Sequence, residues 1–345
     1  MTGIIRLACG PFSEGSRFCS LHVISMKLIR GKHNLLTPLN GCVATLGNFD
    51  GLHLGHQALL KTLKQLAREL KIPTVVIIFE PQPKEFFAKG QTEARLMRFR
   101  EKWLGFAEWK IDYLLCLRFD RALADLAAED FVKQILVDRL GAKAVVVGDD
   151  CRFGAKRAGD YALLKQLGEE YNFKAIEMPS VIYDGQRVSS TRVRQALQAG
   201  DMAVMQALLG RPYRLCGRVI AGEKRGRELG FPTANIDLHR AIAPMSGIFV
   251  VRAFLNKKSY RGVASLGVRP TFKDENARLL LEVYLFDFSK TIYGCYLEVE
   301  FLHKLREEVR FDSISALIEQ MHRDVIEAEK YYQILSSLRD PESQR

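Results

Sequence analysis

Residues 42–60 read CVATLGNFDGLHLGHQALL. An apolar run with β-branched residues, a loop punctuated by Gly47 and Gly51, and apolar residues at helical spacing make this a strand, a short loop and a helix in succession. Such a unit aims the helix N-terminus at whatever sits beyond the strand. Free N–H groups and the positive end of the helix dipole make that position favourable for phosphate. Gly51 and Gly55 permit a backbone approach that a Cβ would obstruct. His53 and His56, three apart in H-x-G-H, fall on one side of the first helical turn. Two imidazoles there suit charge stabilisation on a phosphate under in-line attack. A bare H-x-G-H is equally an ordinary pair of surface histidines; the full string Gly47-Asn48-Phe49-Asp50-Gly51-x-His53-x-Gly55-His56 after a strand is far more specific.

Outward from this unit, the apolar runs 74–79, 113–117, 144–148 and 174–178 read as further strands, and 57–70, 94–109, 129–140 and 161–171 as amphipathic helices between them. The alternation predicts an α/β module of Rossmann-like type, a parallel sheet with helices on both faces. A second candidate phosphate site is Ser189-Ser190-Thr191-Arg192-Val193-Arg194, where hydroxyls and guanidinium groups precede a helix expected to run to Gly210; alone, it is equally a plain capped helix start. Arg211-Pro212 then stops the helix, so the boundary is expected at 210/211.

Beyond it, the runs 213–220, 247–255, 259–267, 279–286 and 295–302 are short strands with Gly and Pro punctuation, the pattern of a small antiparallel β-barrel, closed by a helix over 313–335. Between the first two lies GRVIAGEKRGRELGFPTANI, residues 217–236. Gly222, Gly226 and Gly230 give a backbone able to fold over phosphates, and Thr233 and Asn235, if extended, point the same way. Two neutral oxygens of that kind suit Mg²⁺ held jointly with substrate phosphates, although an ordinary turn and strand would also carry them.

The chain has 345 residues, 48% hydrophobic and 26% charged, which suits two soluble modules and excludes fibrous or disordered classes. Its net charge of +11 fits phosphate-bearing substrates better than nucleic acid, because the basic residues are interspersed with acidic ones. Seven scattered cysteines without a C-x-x-C pair fit a reducing cytoplasm, and no apolar stretch approaches the roughly 20 residues of a membrane span. Residues 1–26 read as a disordered extension, with an orderly stretch, MKLIRGKHNL, opening at Met26 as a plausible true start.

Residues 27 to about 337 resemble the bacterial bifunctional riboflavin kinase/FMN adenylyltransferase family, a branch of the nucleotidyltransferases with H-x-G-H and S-S-T-x-x-R. The motifs occur in the family's order, at Gly47–His56, Phe79–Pro83, Val147–Asp160 and Ser189–Arg194, and are followed by P-T-A-N at Pro232–Asn235, SLGVRPTF, LEVYLFDF and FLHKLREEVRFDS. The resemblance implies ATP binding by Gly47, Asn48, Phe49, Asp50, Gly51, His53, Gly55 and His56 together with Ser189, Ser190, Thr191 and Arg192. It places FMN along Phe79, Pro81, Pro83, Asp149, Arg152, Phe153 and Gly154, where the FMN phosphate would attack the ATP α-phosphorus without a covalent enzyme intermediate. In the barrel it implies ATP on Gly222, Gly226, Arg227, Gly230, Pro232 and Thr233, Mg²⁺ on Thr233 and Asn235, and flavin beside Arg306. Glu282 would be the base for the ribityl hydroxyl that attacks the γ-phosphorus; its strand position alone leaves it equally a solvent-facing carboxylate.

Two positions depart from the family: Cys151 stands where Phe is usual, and Phe249 where Tyr is more frequent. The expected reaction sequence is riboflavin to FMN to FAD, with no nucleic-acid or membrane partner. An RNA-binding barrel would leave P-T-A-N and H-x-G-H unexplained, and a nucleotidyltransferase for another phosphorylated acceptor would not account for the second module.

Overall fold

The structure is a computed structural model that describes residues 26–338, except 36–37, 89–92, 223–225, 227–228, 241 and 270–277 and the side chains of 268, 269 and 278. The expected extension at 1–25 and Arg227 lie outside the described residues. Met26 does not belong to that extension: it is buried and packs beneath the first sheet with Val43 and Val76.

Six strands, β1 (Lys27–Arg30), β2 (Cys42–Leu46), β3 (Thr74–Glu80), β4 (Tyr113–Arg118), β5 (Ala142–Gly148) and β6 (Lys174–Met178), form an all-parallel sheet in the order β1-β4-β3-β2-β5-β6. Burial on both faces explains the nearly continuous apolar runs, since crossover helices cover each side. The helix Leu54–Leu70 buries Leu59, Leu60, Leu63 and Ala67, three and four residues apart, against one face. β2, β3 and β4 progress in one direction and the chain then crosses back to β5, so the strand order reverses between β2 and β5. A crevice opens at such a switch point, outside the carboxyl ends of the strands.

Three helical expectations need correction. The helix expected over 94–109 starts only at Phe99, because the Leu96 and Met97 N–H groups donate to the Asp50 carboxylate. The segment 129–140 is a short helix, Ala128–Phe131, that continues as a π-helical stretch over Val132–Val137. The single helix expected up to Gly210 is two, Ser190–Ala199 and Met202–Leu209, broken where Gly200 takes a left-handed conformation and Asp201 caps the second with its carboxylate. A two-residue-per-strand hairpin, β7 (Ile182–Tyr183) and β8 (Gln186–Arg187), precedes the first of them.

The barrel is closed and antiparallel: β9 (Tyr213–Ile220), β10 (Thr233–Asp237), β11 (Gly247–Leu255), β12 (Lys258–Arg269), β13 (Arg278–Leu285) and β14 (Tyr296–Arg306), in the order β10-β13-β12-β11-β14-β9. β1 and β10 lack the apolar runs that mark the other strands of the two sheets; both are short, and β10 carries polar Thr233 and Asn235 on one face. The barrel interior shares one apolar core with the helices of residues 190–209, through Val193, Leu197, Met205, Leu208, Tyr213 and Phe249. The C-terminal helix Ile314–Ser337 covers part of the outer face through Ala328 and Tyr332.

Candidate active sites

At the switch point lies a cleft of about 1020 Å³ whose walls include Gly47–Asp50, His53, His56, Phe79, Pro83, Asp149, Arg152–Gly154 and Ser189–Thr191. Four segments far apart in the chain therefore meet in one place. The loop into the first helix is tight: Gly51 has φ +94° and its Cα abuts Leu96, while Phe49 and Leu52 on either side also have positive φ. A Cβ at Gly51 would stand 2.8 Å from the Leu96 side chain, so glycine is needed both for conformation and for space.

His53 is the N-cap of the helix Leu54–Leu70, and its Nδ1 accepts the His56 backbone N–H at 3.4 Å. The two rings stack with centroids 3.7 Å apart, as the three-residue spacing predicts. Phe49 backs His56 at 5.0 Å. Burial pushes the His53 imidazole down to about 4, helped by the Arg187 cation; burial and then His53 and Lys102 push His56 well below its ordinary range. Both are neutral at physiological pH. With its Nδ1 occupied as an acceptor, neutral His53 carries its proton on Nε2. The depressed value has a consequence for stability. Above pH 6.5, His53 is neutral whether folded or unfolded; as pH falls from 6.5 through about 4, only the unfolded chain gains the proton, so stability is lost. We expect His53 to contribute a loss of roughly 3 kcal/mol over that window, seen as a falling urea midpoint that His53→Asn flattens.

Asp50 faces inward from this loop. Its carboxylate accepts the Leu96 and Met97 N–H groups at 3.1 and 2.8 Å and pairs with Arg194 at 2.5 Å. Ser189 caps its helix by accepting the Arg192 N–H, and the Ser190 hydroxyl donates to the Asp50 carbonyl at 2.8 Å. Thr191 is exposed on the cleft wall. Arg192 turns elsewhere: its guanidinium donates to the carbonyls of Tyr183 and Gln186 in the β7–β8 hairpin, outside the cleft wall, whereas Arg194 lines it. Gly51 and Pro81 also lie just behind the wall, Pro81 following a cis peptide bond.

On the opposite wall, Phe79 packs edge-on against Phe119, and Pro83 begins the short helix Pro83–Phe87. Arg95 bridges Glu80 and Glu85 there. Asp149 is held by the Ser180 N–H and hydroxyl, both at 2.9 Å, and Phe153 is buried beside Phe131. Cys151 is half-buried on the same wall, and burial raises its thiol to about 12, far from nucleophilic use. Arg95 and the buried Lys102 escaped the sequence reading. Nothing local marks either one: Arg95 finds its carboxylates 10 and 15 positions away, and the Lys102 Nζ is buried with no hydrogen-bond partner among the described residues.

A second constellation lies on the outer face of the barrel. Leu281 and Val283 point inward, so Glu282 points outward, directly opposite Asn235 of β10 and Ser265 of β12. Thr233 stands on the same face, opposite Tyr284. Gly222 lies against the Asn235 side chain, closer than any Cβ would permit. Gly226 accepts the Phe231 N–H, and Gly230 and Pro232 lie exposed in the turn before β10. Glu308, within the FLHKLREEVRFDS stretch, reaches this face by accepting the Ser265 hydroxyl at 2.8 Å, a contact that no local spacing marks. Arg306 makes a bidentate pair with the buried Asp324 of the C-terminal helix, at 2.9 and 2.7 Å, and so ties that helix to β14. Phe249 is fully buried in the barrel core against Phe301, where a Tyr hydroxyl would need a partner.

A doubly wound module with neutral, stacked imidazoles at a helix N-terminus, joined to a closed barrel bearing a carboxylate and two neutral oxygens on one face, defines a two-site, phosphate-handling transferase. The comparisons agree with that class. Residues 36–192 match the FAD synthetase family model and 209–332 the riboflavin kinase model. The chain is 45% identical to the bifunctional riboflavin kinase/FMN adenylyltransferases of Haemophilus influenzae and Escherichia coli K12, over 89% of this chain and 99% and 98% of theirs. A solved Streptococcus pneumoniae structure described as a macrolide-efflux protein superposes with TM-score 0.78 and 31% identity, covering 88% of this chain and 98% of that one. The chain belongs to the bifunctional riboflavin kinase/FMN adenylyltransferase family.

Proposed function

We propose that the cleft between β2 and β5 is the adenylyltransferase site and the outer face of β10, β12 and β13 the kinase site, within modules 27–210 and 211–345. The chain carries the family's two activities: it phosphorylates riboflavin with ATP to FMN, then adenylylates FMN with ATP to FAD and pyrophosphate. The observation that carries the first assignment is the stacked pair His53 and His56 at the N-terminus of the helix Leu54–Leu70, at the point where strand order reverses.

In the cleft, the His53 Nε2–H and the helix N-terminus face the ATP phosphates, and FMN lies along Phe79, Pro83, Asp149, Arg152, Phe153 and Gly154. An FMN phosphate oxygen attacks the α-phosphorus, and the bond to pyrophosphate breaks. Neutral imidazoles act here as fixed hydrogen-bond donors to developing charge, needing no proton transfer. Of the Ser-Ser-Thr-Arg segment, Ser190 and Arg194 act through Asp50, and Arg192 through the hairpin.

On the barrel, Glu282 accepts the proton of the ribityl 5′-hydroxyl as its oxygen attacks the γ-phosphorus. Thr233 and Asn235 offer a hydroxyl and an amide oxygen on one strand face beside Gly222 and Gly226, a hard-oxygen set that fits Mg²⁺ brought in with ATP. When bound, that ion neutralises charge on the phosphate oxygens. Arg306 fixes the C-terminal helix at the edge of this face, a structural role beside any flavin contact.

A cytoplasmic setting fits the five unpaired cysteines among the described residues. No described helix is long and apolar enough to cross a membrane. The test of the whole reading is incubation of the protein with riboflavin and MgATP and separation of the flavins: FMN should appear first and FAD after it. Failure on both riboflavin and FMN would overturn the flavin assignment.

A further inference from the structure

The segment Ala94–Met97 is a strap between the two modules. From one side, Asp50 holds the N–H groups of Leu96 and Met97, and Arg194 donates to the Ala94 carbonyl at 2.7 Å. From the other side, the grip comes from the barrel module: Tyr213 donates its hydroxyl to the Leu96 carbonyl at 2.8 Å, and Arg240 donates to the carbonyls of Arg95 at 2.5 Å and Leu96 at 3.3 Å. The Arg240 side chain is almost wholly buried, 4% exposed, and pairs with the buried Glu101 at the start of the helix Phe99–Glu108. The strap also reaches both walls of the cleft. Leu96 packs under Gly51 of the histidine loop, and the Arg95 guanidinium bridges Glu80 and Glu85 beside Pro83.

We propose that Arg240, with Tyr213, is a positioning residue for FMN adenylylation that acts from within the kinase module, by holding the strap that sets the distance between the ATP and FMN walls. The N-terminal cleft is thus completed by the barrel. The idea rests on the reading of that cleft as the adenylyltransferase site. Its geometric basis is that the polar groups of a four-residue backbone stretch are divided between the two modules. Shifting such a strap by an ångström misaligns reactants held on opposite walls, and misplacement of that size costs roughly 100-fold in rate.

The test uses the full chain and both reactions in one preparation, with FMN supplied directly for adenylylation. Arg240→Met should lower kcat/KM for adenylylation roughly 10- to 100-fold, with KM rising for both FMN and ATP, while riboflavin phosphorylation stays within about twofold. Arg240→Lys, which keeps the charge opposite Glu101, should recover part of the loss. Tyr213→Phe removes one hydrogen bond and leaves the ring packed, so it should give a smaller loss with the same KM pattern. Unchanged adenylylation in both Arg240→Met and Tyr213→Phe overturns the proposal, as does a parallel fall of both activities, which would mark mere loss of fold. His53→Ala serves as the control. If it leaves adenylylation intact, the cleft reading itself fails and takes the proposal with it; if it removes adenylylation while the Arg240 and Tyr213 variants do not, only the proposal fails.

Discussion

Replacing His53 by alanine is expected to leave riboflavin phosphorylation intact and to stop the pathway at FMN. Buried and uncharged, His53 has its Nδ1 committed to the His56 N–H, so its remaining hydrogen-bonding atom is the Nε2 donor. A neutral donor in a fixed orientation gains most when charge develops on the phosphate oxygens in the transition state, and removal of one such donor costs roughly 100- to 1000-fold in kcat. Alanine also deletes the N-cap of the helix Leu54–Leu70, at a cost of about 1 kcal/mol in stability. His53→Asn separates the two effects, because an asparagine side chain caps a helix well but places no donor where Nε2 stood. Both variants should accumulate FMN from riboflavin, and only the alanine variant should melt earlier. Adenylylation of FMN at more than a fifth of the wild-type rate in either variant would remove His53 from the mechanism.

The complementary result is expected at Glu282. Glu282→Gln keeps size and polarity on the outer face of β13, opposite Asn235 and Ser265, yet cannot take up the proton of the attacking hydroxyl. General-base removal costs roughly 100- to 10,000-fold, so riboflavin should remain unphosphorylated while supplied FMN is still converted to FAD at the normal rate. Riboflavin kinase activity within tenfold of wild type would return Glu282 to the status of a surface carboxylate. Taken with His53→Asn, the pair tests whether each chemistry resides on its own module. Mixing the two variants should then restore FAD formation from riboflavin, since each supplies the step that the other lacks.

Much of the architecture is legible in the chain because it rests on local patterns. The parallel sheet declares itself in apolar runs that alternate with helical periodicity, and the barrel in the switch to short alternating strands after Arg211-Pro212. Polar strands escape such reading: β10 carries Thr233 and Asn235 on its exposed face, and the four-residue β1 lies at a sheet edge. Helical periodicity likewise misled at 94–98. Those residues have helix-compatible spacing, but the Leu96 and Met97 N–H groups are claimed by a carboxylate 46 and 47 positions away.

The candidate site divides along the same line. What the sequence by itself determined was the strand, loop and helix around His53 and His56, since a three-residue spacing on a first turn sets two side chains on one side whatever surrounds them. The same holds for the alternation that turns Glu282 outward between Leu281 and Val283. Only the tertiary structure decided which polar groups face the cleft and which brace it. Arg194 reaches Asp50 across 144 positions and Arg240 reaches Glu101 across 139, while Arg192, two residues from Arg194, turns to a hairpin and Arg306 to the helix behind it. A long charged side chain goes to the nearest partner that offsets its desolvation. That partner is supplied by packing between distant segments, which no local spacing records.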